Sequence, residues 1–230
     1  VPFGVPILGG NTVGMVGGGF YDINSDQEPI NDRDGQLINL TIDYAFNDRW
    51  SLKSITSSQS MDRFLRDDLD STDANLFGQN NYTEESDSFG QELILNYSAD
   101  RLDVLGGVMY FEEDLYGEVR VPLTNLCFLL APAACGTPVG DFLNGGNYLQ
   151  DGDVDIEAWG AYVEANYSIS DKWSVIAGLR YNYEERDGTG SFIFDAISLN
   201  VPTNQRESWN DLTPRITLQY SPNDNMLLYA

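Results

Sequence analysis

Between Trp159 and Glu184 apolar residues recur at every second position. Trp159, Ala161, Val163, Ala165, Tyr167 and Ile169 alternate with Gly160, Tyr162, Glu164, Asn166 and Ser168. After Ser170-Asp171-Lys172 the pattern resumes: Trp173, Val175, Ala177, Leu179, Tyr181 and Tyr183 alternate with Ser174, Ile176, Gly178, Arg180, Asn182 and Glu184. A period of two predicts strands with one apolar and one largely polar face. The polar triplet is a tight turn, so the pair is a hairpin. Each apolar stripe has aromatics at its ends and smaller residues between, from Trp159 to Tyr167 and from Trp173 to Tyr181. Eight steps at roughly 3.3 Å, tilted by about 45°, rise on the order of 19 Å, near the height of the apolar band of a transmembrane barrel. Trp and Tyr favour membrane–water interfaces. Trp159, Tyr167, Trp173, Tyr181 and Tyr183 are therefore read as a lipid-facing aromatic belt, and the face with Glu164, Asn166, Arg180 and Glu184 as a wet lumen. A soluble β-sandwich has the same period, and this hairpin alone leaves the two open.

The rest of the chain separates them. Residues 1–35 are rich in Gly and Pro, lack alternation and read as an extracellular loop region. Gly17-Gly18-Gly19 lacks the Lys-Ser/Thr of a phosphate loop. Alternation begins at Gln36, with Ile38, Leu40, Ile42, Tyr44 and Phe46 on one face. A more polar strand from Trp50 to Asp62 follows, then one over Ser88–Ser98 and one over Leu102–Glu118. A long loop reaches about Gly152, the Trp159 hairpin follows, and a further loop covers roughly 188–206. Strands at Trp209–Tyr220 and Met226–Ala230 end the chain. About eight strands result, in which short turns alternate with loops of roughly twenty to thirty residues, the asymmetry of outer-membrane barrels. A sandwich has no reason to place every long connection on one side. The fold class is all-β, an antiparallel transmembrane β-barrel domain over 36–230.

Composition narrows the function. Twelve basic residues against 36 acidic ones give a net charge of -24, which excludes a nucleic-acid partner. Aromatics at 12% argue against disorder. No apolar run approaches the roughly eighteen residues of a membrane helix. Val1 is not an initiator, so the N-terminus is read as processed or cut. Histidine is absent, which removes His triads and imidazole metal sites.

SFGQELILNYS followed by LGGVMYFEED resembles the TonB-dependent outer-membrane receptors of Gram-negative bacteria. So do WGAYVEANYSISDKWSVIAGLRYNYEERD and WNDLTPRITLQYSPNDNMLLYA. The resemblance runs from about Leu37 to Ala230. It implies a place in a barrel of about twenty-two strands in the outer membrane, with a plug inside and a TonB-contacting segment before it. It also implies outer-membrane lipid, the TonB complex and a ferric siderophore or similar scarce nutrient as partners, with no cofactor and no catalysis. Neither plug nor TonB-contacting segment is seen, and LLYA stops inside an apolar strand. The chain is therefore expected to be part of a larger barrel, since an open sheet leaves two edges that lipid does not tolerate. A passive pore or a small structural or adhesive barrel is the alternative.

Several residues are weighed as sites. Cys127 and Cys135 lie close together in an external loop and are read as a disulfide, with two free thiols as the alternative. Asp151, Asp153, Asp155 and Glu157 share one face and offer hard oxygen ligands to a divalent cation, but a solvated acidic rim is the preferred reading. Asp67, Asp68, Asp70 and Asp73 lack calcium-loop spacing. Glu164, Arg180 and Glu184 are read as lumen charges rather than a catalytic set. Arg63, Arg66, Tyr82 and Tyr148, in or near the long loops, are ligand-binding candidates. Asn96-Tyr97-Ser98 and Asn166-Tyr167-Ser168 match a glycosylation pattern by accident.

Overall fold

The computed structural model describes residues 5–7, 11–13, 25–69, 77–124, 127, 132–223 and 225–230. The alternating segments form one eight-stranded antiparallel meander. Its strands are β3 (Ile30–Ala45), β4 (Trp50–Asp67), β5 (Asn80–Ala99), β6 (Leu102–Leu123), β7 (Gly146–Ser168), β8 (Trp173–Phe194), β9 (Leu199–Asn223) and β10 (Met226–Tyr229). Every strand pairs with its neighbour in sequence, and β3 and β10 are the two open edges. Before them, β1 (Val5–Ile7) and β2 (Asn11–Val13) form a separate two-stranded pair. The first 35 residues thus hold a short hairpin, and β3 begins six positions before Gln36; Gly17, Gly18 and Gly19 lie outside the described residues.

One rim carries the expected short turns at 46–49, 100–101 and 169–172, and β9 passes to β10 on the same rim. We call it the lower rim. In the first turn Asn47 Oδ1 accepts the Arg49 and Trp50 N–H groups at 2.9 and 3.0 Å, a side-chain substitute for a backbone turn. The upper rim differs from expectation. The loop read over 188–206 is mostly strand, because β8 and β9 continue to a short 3-10 turn at Asp195–Ile197. Likewise β7 starts at Gly146 rather than Gly152, and β5 at Asn80 rather than Ser88. β7 and β9, at 23 and 25 residues, are more than twice the roughly 9–11 residues a bilayer requires.

Among the described residues no second layer covers this sheet. Among the described residues the buried apolar side chains are Val121, Leu123 and Cys127, all near the upper rim. The stripe residues stay exposed: Ile42 at 54%, Val163 at 48% and Ile216 at 77%. A sandwich would have buried them against an opposing sheet.

Candidate functional site: the two faces of the wall

Directly opposed residues of an antiparallel pair share a face, so the register sorts the side chains. Trp159, Ala161, Val163, Ala165 and Tyr167 stand opposite Tyr183, Tyr181, Leu179, Ala177 and Val175 of β8. On β6 the same face holds Tyr110, Val108, Gly106, Val104 and Leu102. We call it the outer face. Near the lower rim it carries a row of aromatics: Trp50 against Tyr97, with ring centroids 4.7 Å apart, and Trp173 stacked on Tyr220 at 4.4 Å. A second row crosses higher up through Tyr110, Trp159, Tyr181 and Tyr183, where Trp159 lies 5.2 and 5.8 Å from its two tyrosine neighbours. The Tyr110 and Tyr183 hydroxyls donate upward to Glu112 and Glu185 at 2.7 and 2.8 Å. Between the rows the face is apolar apart from one patch. There Thr56 donates to Gln91 at 2.6 Å and Gln91 to Ser54 at 3.0 Å, so these groups satisfy one another.

Above the second row the outer face becomes acidic. Asp155 stands between Asp114 and Asp187, and Glu157 between Glu112 and Glu185. Asp151 accepts the Ser191 N–H at 3.0 Å. Asp151, Asp153, Asp155 and Glu157 thus share a face as expected, spaced along the strand by roughly 6.6 Å steps. Among the described residues no three acidic or cysteine side chains converge to hold a metal ion. Arg206 neutralises part of this band, pairing with Glu185 and lying 3.8 Å from Asp187.

The inner face is a lattice of polar bridges. Tyr162 reaches across Gly107 to donate to Glu92 at 2.7 Å. A Cβ on Gly107 would meet the Tyr162 ring at 2.5 Å, so only glycine admits this crossing. Arg180 lies over the same ring at 5.7 Å and donates to Asn182 at 2.7 Å. Glu164 pairs with Arg215 at 3.2 Å, and Glu184 with Arg186 at 2.7 Å. The lumen charges are therefore dispersed: Glu184–Arg186 lies along β8, whereas Glu164–Arg215 and Lys53–Asp43, at 3.3 Å, join different strands.

The ligand candidates divide. Arg63, Tyr82 and Tyr148 lie on the inner face above the second row: Tyr82 is opposite Val119 and Tyr148 opposite Val121 on β6. Arg63 is held by Glu84 at 2.9 Å. Arg66 is on the outer face, beside Asn81 at 3.3 Å and over Phe64 at 5.6 Å. Both arginines, expected in or near a long loop, lie on β4, which runs to Asp67 and sends odd and even positions to opposite sides. Sequence reasoning missed Phe192, whose ring lies 5.2 Å from Tyr148, because it fell in the expected 188–206 loop. Asp67 ends β4 opposite the fully buried Asn80, and Asp70 and Asp73 lie outside the described residues.

Two devices secure the upper rim. Cys127 and Cys135 are joined in a disulfide with Cα atoms 5.4 Å apart. Asn144 accepts the Cys127 N–H at 3.0 Å and so ties the disulfide to the end of α1 (Pro138–Leu143). Thr137 caps that helix, accepting the Gly140 N–H at 3.4 Å. Between β8 and β9, Asp195 accepts from the Asn147 side-chain amide at 2.8 Å and from its backbone N–H. These bonds hold the Asp195 carboxyl below its usual range, the side-chain amide contributing most.

Comparison with known proteins places this geometry. A family model described as TonB dependent receptor-like, beta-barrel, matches residues 3–230. Solved structures with the same fold include the ferric yersiniabactin uptake receptor of Yersinia pestis, at a TM-score of 0.70 and 14% identity over 99% of this chain. A siderophore receptor of Acinetobacter baumannii follows at 0.64 and 14% over 90%. The ferric-catecholate import receptor of E. coli K12 gives 0.61 and 12% over 90%. The chain spans 31, 33 and 33% of these three proteins respectively. At these identities the likeness is one of fold. No functionally curated relative matches the chain.

Proposed function

Since the chain belongs to the family of TonB-dependent receptor-like β-barrels, we propose that it forms about a third of the wall of a Gram-negative outer-membrane importer. One observation carries this reading: among the described residues the sheet is bare on both faces, with an apolar band between two aromatic rows on one face and polar bridges on the other. Such a sheet gains stability only with hydrocarbon on the first face and water or a polar occupant on the second. Trp159, Tyr167, Trp173, Tyr181 and Tyr183 then mark the lipid interfaces, with the lower rim in the periplasm. Residues before Ile30 belong to the extracellular side, where β3 begins.

The cargo we assign is a ferric siderophore or a similarly scarce nutrient, in keeping with the import receptors of the same fold. Arg63, Tyr82, Tyr148 and Phe192 are the wall residues it would pass. Energy would come from the TonB complex through a segment outside this chain. The protein is a transporter and no enzyme on this reading. Deleting its gene should abolish uptake of one class of radiolabelled ferric siderophore, and removing TonB should do the same. Uptake that persists without TonB would make the protein a passive pore.

A further inference from the structure

We propose that the inner face above the second aromatic row seats an anionic aryl chelate of iron, with one ring over Gly117 and Gly152 and its negative charge toward Arg33 and Arg63. This rests on the importer reading above and narrows its cargo to one chemical class. A single row of inner-face positions crosses six strands. Arg33 of β3 stands directly opposite Arg63 of β4, and Arg63 opposite Glu84 of β5. Glu84 stands opposite Gly117 of β6, Gly117 opposite Gly152 of β7, and Gly152 opposite Gly190 of β8.

The β3 end of this row is cationic. Like charges directly opposite on a sheet repel. Glu84 answers one of the two arginines, 2.9 Å from Arg63, whose Nε is buried without a hydrogen-bond partner. Arg33 is exposed and, among the described residues, forms no ion pair. Its neighbours on the same face of β3, Asn31 and Gly35, carry no charge. Two guanidinium groups thus face the lumen against one carboxylate, in a chain whose net charge is -24. A planar fork of donors of this kind suits an anionic oxygen.

The β8 end is apolar and open. At Gly190 a Cβ would meet Asp151 O at 2.5 Å, so the backbone itself demands glycine there. At Gly117 a Cβ would meet nothing within 4 Å, so the protein's own packing does not require the missing side chain. Val119 and Phe192 stand in the row above this opening, and Leu115 and Val154 in the row below. Tyr82, directly opposite Val119, adds a ring between the arginines and the glycines. Rows on one face lie roughly 6.6 Å apart and strands about 4.8 Å apart, so the opening over Gly117 and Gly152 has the dimensions of one aromatic ring. Glu84 would repel an anion placed there, which directs the ring to the glycines and the charge to the arginines. Arg33 and Gly117 are three strand spacings apart, roughly 14 Å, so the cargo extends beyond a single ring.

The test titrates the complete membrane protein carrying this chain with two radio-iron probes, a trianionic synthetic iron triscatecholate and a neutral iron trihydroxamate. The triscatecholate should bind about tenfold more tightly, the equivalent of one charge-assisted contact. Gly117→Leu, which fills the open space, and Arg33→Gln should each weaken it roughly fivefold or more and leave the trihydroxamate unchanged. Arg33→Lys, which keeps the charge, should restore part of the loss. If Gly117→Leu fails to fold, Arg33→Gln decides, since it strands no carboxylate. Preference for the trihydroxamate, or triscatecholate affinity unmoved by both substitutions, would overturn the seat and leave the importer reading in place. Arg33→Gln that lowers barrel stability with affinity unchanged would assign Arg33 to the neighbouring strand and overturn it too. Binding of neither probe, together with no TonB-dependent uptake of any iron chelate by cells, would remove both readings.

Discussion

The same strands run through two regions of opposite character. Below the row through Tyr110, Trp159 and Tyr183, the wall has an apolar outer face, a polar inner face and connections of a few residues. Above that row the outer face is crowded with carboxylates such as Asp114, Asp155 and Asp187, while the inner face carries apolar residues such as Leu115, Val154 and Ile156. The backbone ladder does not change between them: β7 and β8 stay paired from Tyr148–Phe194 to Ser168–Ser174. Alternation therefore reports a difference in solvent across the sheet, while strand formation needs only a partner for each N–H and C=O group. Above the row the faces exchange character, with Asp153 and Asp155 outward and Val154 and Ile156 inward, yet the ladder continues.

The largest expected effect sharpens this contrast within the lower region. Ala177→Arg, opposite Ala165 and Ile216 on the outer face, should destabilise the folded barrel in bilayers by roughly 2–4 kcal/mol, the cost of a cation near the membrane midplane. Ser174→Arg, on the inner face, should be far milder. Refolding titrations into vesicles measure both, and equal losses would break the distinction between the faces.

Next in size is the disulfide of the upper region. Replacing Cys127 and Cys135 with serine should cost at most about 3 kcal/mol, as expected for so short a loop. The loss should appear as faster proteolysis of the 124–145 connection with the barrel intact. Global unfolding in the same denaturant range would show that the two regions are not independent.

Much of this was legible in the sequence, and the exceptions follow one rule. The lower region could be read residue by residue, since Trp159 to Tyr167 and Trp173 to Tyr181 announce both faces and both aromatic rows. The upper region could not: Ser191, Phe192 and Gln205 show no period, so the 188–206 stretch resembled a loop. Phe192 and its contact with Tyr148 were lost with it. The disulfide was accessible from two cysteines close together in one connection. The side of Arg66 depended on a register that no local pattern displayed.

Acidification should act on the upper region through Asp195. Its folded-state pKa is lowered by bonds from Asn147, so its contribution is complete above the ordinary aspartate range and is lost as pH falls through the depressed value. Hydrogen exchange at the Asn147 amide should accelerate relative to the lower strands as pH drops toward 3. An Asp195→Asn variant should show a flatter dependence. The smallest effect is expected from Asp155→Arg: above the second row, replacing one of three facing carboxylates should leave stability unchanged or slightly raised.

The central claim is that hydrocarbon touches the outer face only between the two aromatic rows. Single cysteines placed along β8 from residue 174 to residue 192 and spin-labelled in bilayers test it most directly, since the native cysteines are joined to each other. Oxygen, which partitions into lipid, should collide most with labels at 175, 177, 179 and 181, and a water-soluble nickel chelate most with their even-numbered neighbours. From 185 upward the chelate should reach both parities. Chelate access without a period of two below residue 183, or oxygen maxima at the even positions, would contradict the account.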